Sequence, residues 1–431
     1  MFSGIISFVL PPKAARTIYI FMVTAVLIMS VAVLSFTAAS GESYAFMMGH
    51  YPAPWGNEIR VGVLEALMAA FFALIMLLSY FGGAAHIEVE VQESKKNLFY
   101  ILLDLLMASL LALIYTNDLF TAYVFIEINT IAACGLIMVK KEGRNYVSTM
   151  RYMIMAQIGS GLFLIGLVLL YAITGHLLMV PAKESIDTLL QSGVYHVPLL
   201  VILLLLTIGL GIKSGMYPFH TWIPDAYGYT TPAASAMLSS LVSKGYIFLM
   251  IKIFYRVLGF DSVISFHMVN IIYVFGLVGM IMGSVAAIKE NNIRRMTAFS
   301  SVAQIGYIYM GIGMGTTAGV VAALFHMISH GAMKSLLFIS ISGLTEVSDD
   351  KLDFKPLKGA GFRNKAAGAA YTIGSMSMIG MPLLTGFVSK YLFASAATTA
   401  GPKMISAWIV LAISTVLNTV YFMRKIGRAS C

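Results

Sequence analysis

Residues 198–218 read Pro198-Leu-Leu-Val-Ile-Leu-Leu-Leu-Leu-Thr-Ile-Gly-Leu-Gly-Ile-Lys213-Ser-Gly215-Met-Tyr-Pro218. The stretch runs without a charge as far as Lys213, and about 20 such residues cross a bilayer as a helix. At its end a lysine, a glycine and a proline fall close together. A second stretch does the same: Gly380-Met-Pro382 interrupts an apolar run, and Lys390 follows two turns later. Glycine and proline free backbone groups that lipid cannot satisfy, so such breaks are tolerated only inside protein or beside water. Both stretches read as broken, charged membrane helices.

The rest of the chain agrees. Of 431 residues, 59% are hydrophobic and 11% charged, against about 25% charged in soluble proteins. This excludes a soluble enzyme, a disordered chain and a nucleic-acid binder. Apolar runs fall at about 17–40, 62–81, 98–116, 119–139, 149–173, 198–219, 231–257, 265–288, 293–313, 317–343, 367–395 and 405–424. Residues 1–10 read as the tail of one more, ending at Pro11-Pro12. No alternating segments suggest a barrel. The expected fold is an all-α polytopic membrane protein of 12–13 transmembrane helices. Cys134 and Cys431 are the only cysteines. They can build neither an iron–sulfur cluster nor a structural zinc site, and no cofactor is expected. No cleavable signal peptide is expected either.

The breaks suggest an internal organisation. Residues 98–257 hold five spans, and so do residues 258–431. In each set the fourth span is broken and carries a lysine. Five is odd, so two such units in tandem are inverted relative to each other, the arrangement of inverted-repeat transporters. Residues 1–97 then form N-terminal helices outside the repeats, and the second unit ends in a tail.

Charge sets the expected orientation. Loops on one side carry 19 of the 28 basic residues: Lys13, Arg16, Lys95, Lys96, Lys140, Lys141, Arg144, Arg151, Lys289, Arg294, Arg295, Lys351, Lys355, Lys358, Arg363, Lys365, Arg424, Lys425 and Arg428. The other side carries four: Arg60, Lys183, Arg256 and Lys403. The positive-inside rule places the richer side, and with it the C-terminus, in the cytoplasm of a cell membrane. The net charge of +9 is therefore no sign of an anionic partner.

Five lysines remain inside apolar runs: Lys213, Lys244, Lys252, Lys334 and Lys390. Glu65, Asp104, Glu127, His326 and His330 lie at comparable depth. A lysine at a helix centre costs about 2.5–3.5 kcal/mol to insert, so these groups must face the interior, water or one another. Lys252 lies one turn before Arg256 and can equally snorkel to a helix end. Asp104 and Glu65 lie near span ends and are ambiguous. His326, His330 and Lys334, at i, i+4 and i+8, share one helix face. Two histidines could hold a metal, but no third ligand is suggested, and no metal site is expected. Histidine titrates near neutrality and a buried lysine gives up its proton readily, so the row reads best as a proton relay.

At this point the sequence resembles a known family. Pro218-Phe-His-Thr-Trp-Ile-Pro-Asp-Ala226 is similar to the signature of the antiporter-like subunits shared by complex I, Mrp-type cation/proton antiporters and membrane-bound hydrogenases. Asn117-Asp118-Leu-Phe with Phe125-Ile-Glu127 resembles the family's helix bearing an intramembrane glutamate. Ile293-Arg-Arg-Met-Thr-Ala-Phe-Ser-Ser301 with Gln304-Ile-Gly-Tyr307 resembles another family segment. His326 to Lys334 resembles its His-rich helix, and Pro382-Leu-Leu-Thr-Gly-Phe-Val-Ser-Lys390 its second broken helix. Tyr51-Pro-Ala-Pro-Trp-Gly56 is most similar to Mrp D-type and hydrogenase-associated members. Departures are Asn291-Asn292 in place of an acidic residue and Gln304 in place of a histidine found in some members. Family members usually have more helices, and this chain is expected to lack the last and most of the first.

The resemblance implies roles. Glu127 is the charge partner of Lys213, the switching lysine beside the break at Gly215 and Pro218. Lys244 connects toward the centre, where His326, His330 and Lys334 continue the axis. Lys390, beside the break at Gly380 and Pro382, is the exit-side lysine. The implied function is translocation of H⁺, Na⁺ or both, alongside other antiporter-like and small hydrophobic membrane subunits. One version is a gradient-driven antiporter. The other is a redox-driven pump coupled to a peripheral redox module, and any redox chemistry then resides outside this chain. A structural spacer that carries no ions is the third reading, and the intact line of charges weighs against it.

Overall fold

The computed structural model describes residues 2–51, 56–140 and 142–430, with 424–430 as backbone only. Four residues of the Tyr51–Gly56 motif, together with Lys141, Cys431 and the side chains of Arg424, Lys425 and Arg428, lie outside the described residues.

The chain opens with α1 (Phe2–Val9) and α2 (Pro12–Ser40), then a hairpin of β1 (Tyr44–Met47) and β2 (Glu58–Val61). The strands pair antiparallel, Tyr44 opposite Val61. Long helices follow: α3 (Val63–Glu90), α4 (Glu93–Tyr115), α5 (Leu119–Met138) and α6 (Gly143–Thr174). Next come the short α7 (Met179–Ser192), α8 (His196–Ser214), α9 (Ile223–Tyr229), α10 (Pro232–Met237) and α11 (Ser243–Arg256). After α12 (Phe260–Ser265) come α13 (Met268–Lys289), α14 (Ile293–Gly313) and α15 (Thr317–Glu346). The chain closes with α16 (Ala360–Arg363), α17 (Lys365–Ile379), α18 (Thr385–Thr398) and α19 (Met404–Ser430).

Ten helical segments among the described residues are long and apolar enough to cross a membrane. The two other expected crossings are α14, which is less apolar because it faces protein, and the pair α17–α18, each half too short alone at about 1.5 Å per residue. The protein is a multi-pass membrane protein whose spans are all helical, with one two-stranded hairpin beside them.

Local chemistry sets the helix ends. Asp118 caps α5 by accepting from the Thr121 N–H at 2.6 Å, and Asn292 caps α14 from the Arg295 N–H at 3.0 Å. Thr316 and Asn364 do the same for α15 and α17. Each bond satisfies a donor that the first turn leaves free.

Burial runs from outside to inside. Few residues of helix α2 are buried, whereas every residue from 230 to 254 is, so α10 and α11 form the central span. A five-residue π turn, Leu238–Val242, joins them. Residues 301–314 of α14 and its cap are buried too. Helices α13 and α14 pack almost backbone to backbone: a Cβ on Gly276 would lie 2.4 Å from the Met310 nitrogen. Small residues permit such approach where lipid supplies no hydrophobic drive between helices.

The stretch 179–192, expected as a loop, is helix α7, buried through Met179, Ala182 and Ile186. Asp104, expected near a span end, sits in the middle of α4, because that helix begins at Glu93 rather than near 98.

Candidate functional site

The two breaks organise the site. Helix α8 ends at Ser214 and Gly215 turns left-handed at φ 80°; α17 ends at Ile379 and Gly380 turns left-handed at φ 95°. Glycine adopts this conformation without the steric cost a Cβ brings. Pro218 and Pro382 follow within the non-helical segments. The opened helix ends find side-chain partners: Trp222 Nε1 donates to the Ile212 carbonyl at 3.3 Å, and Lys390 Nζ donates to the Ile379 carbonyl.

Lys213 occupies the last turn of α8, where unpaired carbonyls favour a cation. It is 2% exposed. Its Nζ donates to Thr130 Oγ1 at 2.6 Å and lies 4.0 Å from Glu127 Oε1. Glu127 and Thr130 stand one turn apart on α5. Glu127 is 22% exposed at its side chain and accepts from Gln157 Nε2 at 3.2 Å. The Tyr246 ring lies 6.0 Å from the ammonium, and its hydroxyl donates to Asn129 Oδ1 at 2.9 Å.

Lys244 is fully buried on α11, and its Nζ donates to the Ser239 carbonyl inside the π turn. A π turn commonly marks a functional position in a helix. Ser239 also hydrogen-bonds Ser301 of α14, 3.1 Å between hydroxyl oxygens.

On α15 the His326 and His330 rings are parallel within 2°, 5.6 Å apart. His326 Nδ1 bonds Ser389 Oγ of α18 at 2.6 Å, and its ring stacks on Tyr307. Both nitrogens of His330 and Nε2 of His326 are buried without a hydrogen-bond partner in the protein. His330 lies within electrostatic reach of Lys244 and Lys334, and His326 within reach of Lys244 and Lys390. Lys334 Nζ donates to the Thr297 carbonyl at 2.6 Å and to Ser300 Oγ. Lys390 Nζ also reaches Thr415 Oγ1 at 3.1 Å and faces the Tyr307 ring at 5.8 Å.

The structure thus gathers the seven residues into linked groups: Glu127 with Lys213, then Lys244 with His330, His326 and Lys334, with Lys390 beside His326. Among the described residues only Lys213 of these lysines has a carboxylate within 4.0 Å. The others rest on carbonyls and hydroxyls, which accept from an ammonium without adding a negative charge. Sequence reasoning passes over Thr130, Ser239, Ser300, Ser389 and Tyr307, which hold these groups. Thr130 is discernible as Glu127 plus three; Thr297, Ser300, Ser301 and Gln304 form a polar run in α14 after its two arginines.

Lys252 has a different role. It is buried, and its Nζ donates to the Ile114 carbonyl at 2.8 Å and to the Thr116 carbonyl, closing the C-terminal end of α4. Glu65 pairs with Arg256 and caps α3 through the Gly62 N–H.

At the basic end, Asp225 of α9 accepts from both Arg151 of α6 and Arg295 of α14, and Arg295 Nε reaches Glu290 Oε2 at 2.9 Å. Partial burial acts to raise the Glu290 carboxyl, but the Arg295 guanidinium and the Asn291 and Asn292 N–H groups outweigh it and hold the group below the usual carboxylate range. This cluster clamps α9, the segment after the first break, between two long helices.

Comparison with known proteins places the chain. Residues 116–417 match the family described as NADH:quinone oxidoreductase/Mrp antiporter, TM. NADH-quinone oxidoreductase subunit N of Desulforudis audaxviator is 32% identical over 419 residues, covering 94% of this chain and 79% of that protein. The D-type subunit of the Na(+)/H(+) antiporter of Alkalihalophilus pseudofirmus is 26% identical over 379 residues, covering 88% and 74%. Among solved structures, the membrane-bound sulfane sulfur reductase, an archaeal respiratory membrane complex, aligns with TM-score 0.89 and 25% identity over 99% of this chain and 85% of that one. The Mrp complex from a Dietzia species shares the fold, with TM-score 0.88 and 24% identity over 98% and 77%. The chain belongs to the family of membrane subunits common to NADH:quinone oxidoreductases and Mrp antiporters.

Proposed function

We propose that this chain is an ion-translocating, antiporter-like subunit of a multi-subunit membrane complex, moving H⁺, Na⁺ or both along Glu127, Lys213, Lys244, His330, His326, Lys334 and Lys390. The observation that carries the reading is Lys213, buried beside a helix break and poised between Thr130 and Glu127. The Glu127 carboxylate stabilises the ammonium, and a shift of the broken helix that separates the two drives the proton toward Lys244. The breaks at Gly215–Pro218 and Gly380–Pro382 supply the movable backbone.

Two inverted units, 98–257 and 258–431, account for the placement of these breaks, each opened by a left-handed glycine. A cytoplasmic C-terminus accords with the excess of 19 basic loop residues over four. Ion pairs of Arg16 and Lys96 with Glu88, and of Lys140 with Glu90, fall on that same side.

The test is Lys213→Ala in the purified, reconstituted complex, with subunit assembly verified. Ion transport is expected to be lost; full assembly with unimpaired transport overturns the reading and favours a spacer. The likeness to a respiratory membrane complex supports a second version, a pump driven by a redox module. Co-purification decides: redox subunits exclude the pure antiporter, and small hydrophobic partners alone exclude the redox pump.

A further inference from the structure

Three arginines meet at the basic end of the protein, away from the Lys213–Lys390 axis. They border a cavity of about 410 Å³ between α6, α9 and the start of α14. Its lining includes Arg144, Val147 and Arg151 of α6, Asp225 and Tyr229 of α9, and Arg295 of α14.

The protein holds these guanidiniums in place but leaves many of their donors unused. Arg151 gives Nη1 to Asp225 Oδ2, and Arg295 gives Nη1 to Asp225 Oδ1. Arg295 Nη1 also reaches the Tyr229 hydroxyl at 3.2 Å, and its Nε reaches Glu290. The Arg144 and Arg295 guanidinium carbons both lie against the Tyr229 ring, 5.6 and 5.7 Å from its centroid. Among the described residues, the Arg144 guanidinium has that ring as its partner and no ion pair or hydrogen bond. Each guanidinium carries five N–H donors. Three such cations face two carboxylates, Asp225 and Glu290, so positive charge is in excess.

The cavity opens onto an apolar surface. Val147, Ile154, Ile158 and Ile165 of α6 are each about half exposed. Their spacing of seven, four and seven residues puts them on one helix face, and Arg144 and Arg151 share it. Helix α6 has 32 residues and is about 48 Å long, whereas the hydrocarbon core is about 30 Å thick. Residues 154–174 alone cross that core, so Arg144 and Arg151 stand at headgroup level. There Arg151 is 63% exposed at its side chain. A cationic cavity at the head of an exposed apolar stripe has the two-part chemistry of a lipid.

We propose that this cavity binds the phosphate of an anionic phospholipid headgroup. Arg144 and Arg151 are its main partners and Arg295 completes the site. The acyl chains lie along Val147, Ile154, Ile158 and Ile165. Arginine suits the task because its planar fork pairs with two phosphate oxygens at once. Asp225, already engaged by two arginines, orients the guanidiniums.

The experiment is native mass spectrometry of the intact complex titrated with phosphatidylglycerol, phosphatidylcholine or inorganic phosphate. Its readout is independent of whether the chain carries ions. Wild type is expected to bind phosphatidylglycerol in preference to the other two. The double variant Arg144→Gln, Arg151→Gln is expected to weaken that binding at least about tenfold. Lys365→Gln, which removes an exposed charge elsewhere at the basic end, is expected to leave it unchanged. Should the double variant not assemble, Arg144→Gln alone carries the test, because it breaks no ion pair in the protein; an affinity loss of about threefold or more is then expected. Phosphatidylglycerol binding that is unaltered by the arginine variants, or lowered equally by Lys365→Gln, overturns the proposal. Equal binding of phosphatidylcholine also overturns it. Inorganic phosphate binding as tightly as the lipid overturns it too, making the cavity a site for a free anion. A photoreactive residue at Ile154 is expected to capture lipid; capture of a neighbouring subunit instead overturns the proposal in favour of a protein interface.

Discussion

The Lys213 ammonium stands 4.0 Å from the Glu127 carboxylate, near enough for strong attraction and too far for a direct hydrogen bond. Thr130, at 2.6 Å, holds it there. At an effective dielectric of 20, charges 4 Å apart attract by about 4 kcal/mol, an attraction that a helix shift separating the pair would weaken. Glu127→Gln removes the attraction but keeps the shape. Transport is expected to fall at least about tenfold with assembly intact. Thr130→Val removes only the hydroxyl and is expected to cost less than Glu127→Gln. Proton flux into proteoliposomes measures both; a larger loss in Thr130→Val would make the hydroxyl, not the carboxylate, the main partner of Lys213.

Lys252 tests whether burial alone makes a lysine functional. It closes the end of α4 through two carbonyls, and each acceptor left unpaired costs about 1–3 kcal/mol. Lys252→Met is therefore expected to lower the melting temperature while transport per assembled complex stays close to wild type. Transport lost at unchanged thermal stability would add Lys252 to the conducting axis.

The same contrast shows what the sequence makes legible. Lys213 and Lys390 announce themselves because Gly and Pro beside a lysine in an apolar run have few structural explanations. Lys252, one turn before Arg256 and with no glycine or proline beside it, leaves snorkelling and an interior role equally open in sequence, since its partners belong to α4, far away in the chain. The apolar run that starts near 98 puts Asp104 too near an end. The helix continues back through Glu93, Ser94, Lys95, Lys96 and Asn97, where Lys96 is paired with Glu88 and Glu93. The π turn that presents the Ser239 carbonyl to Lys244 is fixed by tertiary packing and has no mark in the local sequence. Amphipathic α7 escapes a search for apolar runs because only three of its residues are buried.

The clamp at the basic end gives a pH prediction. Glu290 titrates below its ordinary range because Arg295 and backbone N–H groups favour the carboxylate. Its contribution to stability is therefore fully present above the ordinary glutamate range and is lost as pH falls through the lowered value. Wild-type melting temperature is expected to fall more steeply on acidification below about pH 4.5 than that of Glu290→Gln. Parallel curves for the two proteins would show that the pair with Arg295 contributes nothing. Asp225→Asn, which strips the carboxylate from both Arg151 and Arg295, is expected to destabilise by about 1–3 kcal/mol at neutral pH, with α9 becoming more accessible to hydrogen exchange.

The second break offers the sharpest separation of backbone from charge. Gly380 sits at φ 95°, and a Cβ there would lie 2.8 Å from Lys390 Cδ. Gly380→Ala thus combines left-handed strain of about 1–2 kcal/mol with displacement of the Lys390 stem from the Ile379 carbonyl and Thr415. Nothing in the charge of the protein changes. Transport is expected to drop while the assembled complex persists, because Lys390 leaves its place beside Tyr307 and His326. Lys390→Met keeps the backbone and removes the charge. If Gly380 acts by positioning Lys390, the double variant is expected to transport no worse than Lys390→Met. Additive losses in the double variant would instead assign the break a role of its own, independent of the lysine it faces.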